Sequence, residues 1–460
     1  MTPAASRSTG GPRLGEILIS LALAVLHLAL SAPLRSPMIF GDEAAHLGIA
    51  RFLAARPPYP QLASPVMGWT PYYHFGYPLL LAPLARLGGP LFLYHGALAV
   101  NALALAALYL ILASFARQVL DLSRFDAGLA ALAASLYPAF LMQGNIAWSE
   151  SLLITVVALL PVSFYRLASF PKVGEGLAPS RVGGKVLLTP PDPPPAREGA
   201  SPSPTFKLAL RACLFCGLAA FTYAVHLRAL ALVPLALLAV VVLWRLGRLS
   251  GKALVAAAAT TGVALLAIRA VDAVIVARLW AGSRQQVTAL DLAARLGDPV
   301  GLAHSLLALA GQLWYLTVAS AGLFPLGVWV LVRIVRQGNT PEKRLTAGFT
   351  LAVAAAILAT SALFFGEFTR ADAAIYGRYN EAFLAPFLVA GLAGFAALLR
   401  RHRLAAAALP VALTAILAAT VIAFQPKGVL ALVYNLMNIE GIGALILAMG
   451  GIHLLRLSAI

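Results

Sequence analysis

Long apolar stretches recur along the whole chain and alternate with short polar ones. A run of about 20 apolar residues is long enough to cross a bilayer as a helix. Such runs cover residues 14–34, 94–115, 127–145, 151–167, 208–225, 229–244, 253–270, 312–332, 346–365, 382–399, 404–423 and 441–457. The pattern predicts an all-α polytopic membrane protein with about twelve transmembrane helices and both termini on the same side.

One further apolar stretch, "FGYPLLLAPLARLGG" at residues 75–89, is too short to be an ordinary span. It contains two prolines and ends in Arg86 and a pair of glycines. These features favour a helix that lies on the membrane surface. Its placement matters because a crossing here would reverse the side of every later loop.

The basic residues indicate which side is cytoplasmic. The chain is 61% hydrophobic and 11% charged, and its formal net charge is +17. The lysines and arginines lie in short clusters between apolar runs, as the positive-inside rule expects, so the charge reflects topology and not nucleic-acid binding. We therefore predict a multi-pass protein of the cell (plasma) membrane with cytoplasmic N- and C-termini. Most of the acids then face outside.

The polar segments divide the chain into modules. Residues 166–207 include "TPPDPPPAREGASPSPT", which is rich in Pro, Ser and Gly and has no apolar period. This composition predicts a disordered cytoplasmic linker. The predicted organisation is a four-span N-terminal module (1–165) with a catalytic outer loop (35–90), the linker (166–207), and an eight-span C-terminal module (208–460) with outer loops at 271–311 and 366–381.

The first outer loop combines acids with aromatic side chains. "FGDEAAH" contains Asp42, Glu43 and His46, and the loop continues to "GWTPYYHFGYP", which contains Tyr72, Tyr73 and His74. A carboxylate beside an apolar surface is partly desolvated and suited to removing a proton from a hydroxyl group. The alternative is that Asp42 and Glu43 only stabilise a helix N-terminus, which is worth about 0.3–1 kcal/mol.

Two other outer segments carry isolated charges. Glu150 follows Ser149 in "NIAWSES", where it is either a helix-capping residue or part of a site. "YAVHLRAL" places His226 and Arg228 in a short turn between two apolar runs. An arginine at this depth pairs with an anion, which is either a lipid headgroup or a substrate phosphate.

The densest outer cluster is "IYGRYNEAF", which contains Tyr376, Arg378, Tyr379 and Glu381. Arginine offers a planar fork for phosphate, and tyrosine offers a flat face and a hydroxyl group for sugars. The alternative is an aromatic anchor at the membrane interface with an Arg–Glu pair. Walker-type ATPase motifs are absent from the sequence, so energy comes from an activated substrate or an ion gradient.

"GDEAAH" after the first span, the aromatic "TPYYHFGYPLLLAPLARLGG", "NIAWSES" and the late "YGRYNE" together resemble the GT-C superfamily of membrane glycosyltransferases. The resemblance covers most of the chain in layout, and the acidic pair with the following aromatic helix is its most specific part. The C-terminal outer domain of larger members and a sequon-binding motif are absent from the sequence.

The resemblance implies transfer of a sugar from a polyprenyl-phosphate donor to a glycan, lipid or protein acceptor at the extracytoplasmic face, with inversion. Asp42 would be the general base and Glu43 its partner, while Glu150 and His46 would assist the acceptor or a divalent cation (Mg²⁺ or Mn²⁺). From the chemistry of the residues themselves, we assign binding of the donor phosphate or sugar to a further set of side chains: His226, Arg228, Tyr376, Arg378, Tyr379, Glu381, Tyr72, Tyr73 and His74.

Two other functions compete with this one. A flippase or transporter for a lipid-linked saccharide more often carries ionisable groups within its spans and shows inverted repeats. A polymerase or ligase of lipid-linked glycans also has many spans and large outer loops, and would transfer a preassembled chain.

Overall fold

The computed structural model describes residues 11–38, 40–57, 73–170, 204–280, 289–365, 374–400, 405–424, 436–450 and 453–459. Its helices, in chain order, are α1 (Leu14–Ser31), α2 (Phe40–Leu53), α3 (Gly76–Leu87), α4 (Pro90–Gln118), α5 (Arg124–Ser135), α6 (Pro138–Gln143), α7 (Glu150–Ala168), α8 (Pro204–Val225), a 3₁₀ turn (Leu227–Ala231), α9 (Leu232–Arg245), α10 (Gly251–Leu279), α11 (Ala289–Gly297), α12 (Pro299–Ala319), α13 (Leu323–Gln337), α14 (Pro341–Phe364), α15 (Glu381–Arg400), α16 (Ala405–Phe424), a second 3₁₀ turn (Leu436–Asn438), α17 (Gly443–Ala448) and α18 (Leu454–Ala459).

Apolar helices make up most of this chain. Within the described residues, nine helical segments are long and apolar enough to cross a membrane, namely α1, α4, α7, α8, the first 3₁₀ turn with α9, α10, α12, α14 and α15. No strand occurs in these residues. The prediction of an all-α polytopic membrane protein is therefore confirmed. The short helix predicted at residues 75–89 is α3, with 12 residues.

Helix α7 lies at the centre of the bundle. In the most apolar part of α7, 78% of the residues are buried, and α7 packs against α4, α8, α14 and α15. The corresponding fraction for α10 is 17%, so α10 lies at the periphery. The first residue of α7 is Glu150, so this acid lies at the middle of one end of the bundle. We call the end where α1 ends and α7 begins the site end.

Small residues allow the closest helix contacts. A Cβ atom on Gly327 of α13 would lie 2.2 Å from the carbonyl oxygen of Phe387, and one on Gly391 of α15 would lie 2.2 Å from that of Leu323. Helix association in membranes depends on such close backbone approach. The contacts between α13 and α15 hold the start of α15 in place at the site end.

Three predicted spans differ from the observed helices. Residues 127–145 form α5 and α6, which are separated where Pro138 begins a new helix. Residues 312–332 are divided between α12 and α13 at Gly322, whose φ of 79° ends the helical path. Residues 441–457 contain the short helices α17 and α18.

The predicted outer segment 271–311 is also organised differently. Helix α10 continues to Leu279, and α12 begins at Pro299. Arg295, just before α12, donates to the carbonyl groups of Leu363 and Phe364 at the end of α14. Tyr315, near the end of α12, hydrogen-bonds with the first residue of α15. Both ends of α12 therefore contact the site end, although its length and composition are those of a span.

Ion pairs join the helices at the opposite end. Arg117 pairs with Glu16, and Lys343 lies 2.5 Å from Asp121. The predicted linker begins close to this end, because α7 ends at Ala168 and α8 starts at Pro204. Residues 171–203 of the linker and 366–373 of the predicted outer loop 366–381 lie outside the described residues.

Candidate functional site

The buried guanidinium group of Arg378 joins two acids that are far apart in sequence. Its Nη1 donates to Asp42 Oδ2 at 2.8 Å, and its Nε donates to Glu150 Oε1 at 2.8 Å. Asp42 lies in the first turn of α2, Glu150 begins α7, and Arg378 lies in the turn before α15. The three side chains are at most 14% exposed. Three of the segments singled out in the sequence therefore meet at one place.

A second arginine, Arg228, lies on the other side of Glu150. Its Nη2 is 3.5 Å from Glu150 Oε1, and its guanidinium carbon is 3.1 Å from the centre of the Tyr379 ring. The guanidinium also lies along His226, with 2.8 Å between Nη2 and Nε2. Burial and the charge of Arg228 hold the pKa of His226 well below its ordinary value, so this ring is neutral. The site thus holds two buried arginines against two acids.

Helix capping alone does not explain these acids. Asp42 is inside the first turn of α2 and Glu150 is the first residue of α7, where the helix dipole favours a negative charge. Ser149 at the N-cap of α7 makes no capping hydrogen bond through its side chain. Both carboxylates instead contact Arg378, which lies more than 200 residues away in sequence. Their strongest partners are therefore tertiary.

Glu43 has a different position from its neighbour. It is fully buried, and its Oε1 accepts a hydrogen bond from the backbone N–H of Ala147 at 2.7 Å. Consecutive side chains on a helix point about 100° apart, so Asp42 and Glu43 cannot both face Arg378. Glu43 thus joins α2 to the segment before Glu150 and has a positioning contact, whereas the sequence predicted a catalytic role for it beside Asp42.

His46 lies one turn after Asp42 and is fully buried. Its ring packs between Tyr73, with 4.5 Å between ring centres, and Tyr77, at 5.3 Å. Burial lowers the pKa of His46 to about 3, against the opposing effect of Asp42. Neither ring nitrogen has a hydrogen-bond partner among the residues that the structure describes. A neutral imidazole here offers one donor and one acceptor to a bound hydroxyl group.

His74 has a separate partner. Its Nδ1 lies 2.5 Å from Asp272 Oδ2 on α10, and both side chains are buried. Its ring packs on Tyr223 at 4.8 Å. This contact joins the start of α3 to α8 and α10, whereas the sequence grouped His74 with the donor-binding residues. Tyr72, the other aromatic residue of that stretch, lies outside the described residues.

Aromatic rings form a continuous surface beside the two arginines. Tyr73 lies 6.0 Å from His226, which is 5.7 Å from Tyr379. Tyr376 is 4.5 Å from Tyr379 and stacks on Phe365 with 4.0 Å between ring centres. The sequence singled out all of these except Phe365, which follows directly after α14. We call these five residues the aromatic surface.

Trp148 extends this apolar environment on the other side. The guanidinium carbon of Arg378 lies 3.7 Å from the centre of the fully buried Trp148 ring. Cation–π contacts of this kind contribute about 2 kcal/mol or more when they are desolvated. Trp148 stands in the quoted "NIAWSES", yet nothing in the sequence indicated that it would cover an arginine.

The sequence grouped Glu381 with Arg378, but in the structure Glu381 binds other residues. It is fully buried, and its Oε2 accepts a hydrogen bond from Gln143 Nε2 at 2.6 Å. Its Oε1 accepts from the Tyr315 hydroxyl group. Gln143 lies at the end of α6 and Tyr315 in α12, so the contact could not be read from sequence spacing. We call Glu381, Glu440, Gln143, Tyr315 and Tyr137 the lower cluster.

The segment that carries Glu440 holds in place the turn around Gly377 and Arg378, which we call the arginine turn. The carbonyl group of Asn438 accepts from the backbone N–H groups of both Gly377 and Arg378, at 2.8 and 3.0 Å. The N–H of Gly441 donates to the Tyr315 hydroxyl group at 2.8 Å. A Cβ atom on Gly377 would lie 2.0 Å from the Tyr315 ring, so this turn requires glycine.

The site does not fit the divalent cation that the family resemblance implies. Within the described residues, no group of three or more His, Cys, Asp or Glu side chains could hold a metal ion. Asp42 and Glu150 already face the guanidinium group of Arg378. A divalent cation between them would have to displace or repel this positive charge.

Comparison with known proteins adds no relative whose function could guide interpretation of this site. No protein-family model matches the chain, and no curated protein sequence is significantly similar to it. The chemistry of the site therefore has to be inferred from its own residues: two arginines, two acids, a neutral histidine and the aromatic surface, all at one end of a membrane-embedded helical bundle.

Proposed function

We propose that the chain is a GT-C-like membrane glycosyltransferase that moves a sugar from a polyprenyl-phosphate donor to a hydroxyl acceptor. The observation that carries the proposal is the buried contact of Arg378 with Asp42 and Glu150, at 2.7–2.8 Å, beside the aromatic surface. We further propose about twelve spans, an extracytoplasmic site and a plasma-membrane location, in keeping with the basic clusters of the sequence.

The proposed reaction is a direct displacement. The acceptor oxygen forms a bond to the anomeric carbon while its proton moves to Asp42. The bond between the anomeric carbon and the phosphate oxygen breaks, and polyprenyl phosphate leaves with the electron pair. The configuration at the anomeric carbon inverts. Arg228 and Arg378 stabilise the charge that grows on the leaving phosphate, as preorganised donors do in other active sites.

Donor binding would also prepare the base. In the structure Arg378 is bonded to Asp42 and Glu150, and Arg228 lies against Glu150, so that two positive charges face two negative ones. A phosphate is a strong partner for the planar fork of arginine. When the donor phosphate takes over Arg378, Asp42 loses its cationic partner and becomes available to accept a proton. Glu150 keeps Arg228 nearby, so the phosphate meets both cations.

The aromatic surface supports a carbohydrate or prenyl ligand. Sugar rings present apolar C–H faces that pack on flat aromatic side chains, while the tyrosine hydroxyl groups and the His46 ring offer hydrogen bonds. Tyr379 contributes twice, because its ring packs against Arg228 and belongs to this surface. Apolar lining with a few polar groups is typical of ligand sites.

The proposal is tested with the purified chain in lipid nanodiscs. Polyprenyl-phosphate-linked mannose, arabinose and aminoarabinose, each carrying a radiolabel, are offered with detergent-extracted envelope glycans and lipids as acceptors. Label in the acceptor and release of polyprenyl phosphate are expected with one of these donors. Binding of polyprenyl phosphate itself should weaken at least tenfold in Arg378→Ala. Unchanged binding in that variant would remove the arginine from the donor site.

One observation favours a second candidate, a proton-coupled transporter of a lipid-linked saccharide. Glu381 and Glu440 are buried inside the bundle, as ionisable groups of transporters often are. Reconstituted liposomes separate the two functions. A transporter moves a fluorescent lipid-linked saccharide across the bilayer in response to a pH gradient without cleaving it, whereas a transferase cleaves the sugar–phosphate bond.

A further inference from the structure

The lower cluster contains two carboxyl groups in very different settings. Glu381 accepts hydrogen bonds from the Gln143 amide and the Tyr315 hydroxyl group. Glu440 is only 5% exposed, and among the described residues neither of its oxygens has a hydrogen-bond partner. An acceptor-only carboxylate left in this state costs several kcal/mol. The two groups therefore cannot both be ionised without compensation.

The arginines nearby do not supply that compensation. Arg378 is bonded to Asp42 and Glu150, and Arg228 lies against Glu150. Two positive charges thus already face two negative ones. Neither Glu381 nor Glu440 forms an ion pair in the described part of the chain. Among the described residues, no positive charge balances the lower cluster if both of its acids are ionised.

Another unsatisfied atom of the lower cluster indicates that a proton supplies the missing positive charge. Gln143 uses its Nε2 to bond Glu381, and its Oε1 is a buried acceptor without a donor. The hydroxyl group of Tyr137 is buried as well and lies close to that of Tyr315. A proton on Glu440 gives the cluster the donor that the Gln143 oxygen lacks. One added proton thus supplies a donor that the cluster otherwise lacks.

We propose that Glu381 and Glu440 form an acid–carboxylate pair that binds one proton at neutral pH, with Glu381 ionised and Glu440 protonated. Two carboxyl groups that share a buried site commonly behave in this way, because the first negative charge opposes the second. The hydrogen bonds decide the order, because the Gln143 amide and the Tyr315 hydroxyl group donate to Glu381 and favour its charged form, although burial raises the pKa of Glu381 to about 7. Among the described residues no donor bonds Glu440, and the Gln143 side chain near it already donates to Glu381. This inference does not rest on the proposed transferase activity.

The surroundings of Glu440 support this state. Burial and the charge of Glu381 hold the pKa of Glu440 well above its ordinary value, and the charge of Glu150 acts in the same direction. Arg378 and the Gln143 side chain oppose them. Tyr137 and Tyr315, which also border the cluster, are neutral donors in this pH range.

The proton gives Glu440 a positioning role. The segment that carries Glu440 binds the backbone of the arginine turn through Asn438. The positive charge of Arg378 in turn acts on the Glu440 carboxyl group. If Glu440 loses its proton, a second negative charge in the lower cluster competes with Asp42 and Glu150 for Arg378. The protonated pair therefore keeps Arg378 directed towards the candidate site.

Infrared spectroscopy of the intact protein in nanodiscs tests the pair, because a protonated carboxyl group has a carbonyl band that a carboxylate lacks. At pH 7 we expect one such band, which Glu440→Gln removes and which titrates at lower pH in Glu381→Gln, since the neighbouring charge is gone. The control Glu342→Gln, at the opposite end, should leave the band unchanged. The glutamines have nearly the shape of the acids, and the titration of the unaltered protein gives a result even if a variant fails to fold.

Two results would overturn the inference. One is the absence of a protonated-carboxyl band that responds to Glu440→Gln anywhere above pH 6. The other is loss of the band at constant pH on addition of Na⁺, Mg²⁺ or Ca²⁺, which would make the pair a metal site. A band present at pH 7, unaffected by these ions and removed by Glu440→Gln supports the acid–carboxylate pair.

Discussion

Removal of the Arg378 side chain should destabilise the bundle and expose how strongly the site depends on one cation. In Arg378→Ala the buried carboxylates of Asp42 and Glu150, which lie 2.7–2.8 Å from the guanidinium group, lose their shared partner. Truncation of one member of a buried ion pair costs about 3–5 kcal/mol, because the remaining charge stays desolvated. The desolvated contact with Trp148 adds about 2 kcal/mol. We expect a loss near the upper part of this range.

A double-mutant cycle isolates the ion pair from the lost packing. Asp42→Asn removes one of the two charges that Arg378 compensates, so Arg378→Ala should cost about 1–3 kcal/mol less in that background. The free energy of unfolding is measured by denaturant titration of tryptophan fluorescence in mixed micelles. Arg336→Ala provides the control, since Arg336 is an exposed arginine on α13. Additive costs of Asp42→Asn and Arg378→Ala, or a cost for Arg378→Ala no larger than for the control, would refute the buried ion-pair interpretation.

Three further changes test separate parts of the structure. Gly377→Ala should cost at least about 1–3 kcal/mol because its Cβ atom would overlap the Tyr315 ring, whereas Gly217→Ala, with open space around it, should be tolerated; equal costs would contradict the tight turn. Glu43→Leu should lower the free energy of unfolding by about 1–3 kcal/mol, and Glu43→Gln by much less, because glutamine can still accept the backbone N–H that Glu43 binds. The same denaturant titration compares the two variants, and equal losses of stability would mean that the hydrogen bond is unimportant. For Glu440, whose folded-state pKa is raised above the unfolded value of about 4.3, the stabilising contribution is full below that value and is lost as pH rises through the folded pKa. Relative to Glu440→Gln, the unaltered protein should therefore lose up to about 1.4 kcal/mol per pH unit in this window, and a constant difference from pH 5 to 9 would contradict it.

The fold class could be predicted from the sequence because apolar length and charge asymmetry are local properties. They identified the membrane-embedded helices and the short helix α3. Helix breaks were harder to place. Pro138 and Gly322 divide stretches that are uniformly apolar, and hydropathy does not respond to such breaks.

The site was predictable only in part, for a related reason. Asp42, Glu150, Arg228 and Arg378 could be singled out because charged groups are rare and costly near a membrane. Their pairing depends on how distant helices pack, which a single sequence does not encode locally. The direction of each side chain was equally hidden, as the different partners of Asp42 and Glu43 show.

For some residues of the site, no sequence pattern indicated a functional role. Tyr315 and Gln143 are unremarkable in an apolar helix and a short helix, yet both bind Glu381. The sequence analysis did not single out Glu440, because its significance depends on burial and on the absence of a bonded cation within the described residues. Such features appear only when the three-dimensional surroundings of a polar group are known.

Sugar transfer by Asp42→Asn tests the proposed function most directly. The asparagine keeps the size of the side chain and a hydrogen-bonding group near Arg378, but it cannot accept the proton of an attacking hydroxyl group. With a polyprenyl-phosphate-sugar donor that the unaltered protein uses, the variant should transfer sugar at least about 100-fold more slowly while still binding the donor. Asp126→Asn, an exposed acid at the opposite end, should transfer normally. Transfer at the full rate by a folded Asp42→Asn variant would contradict the assignment of Asp42 as the general base.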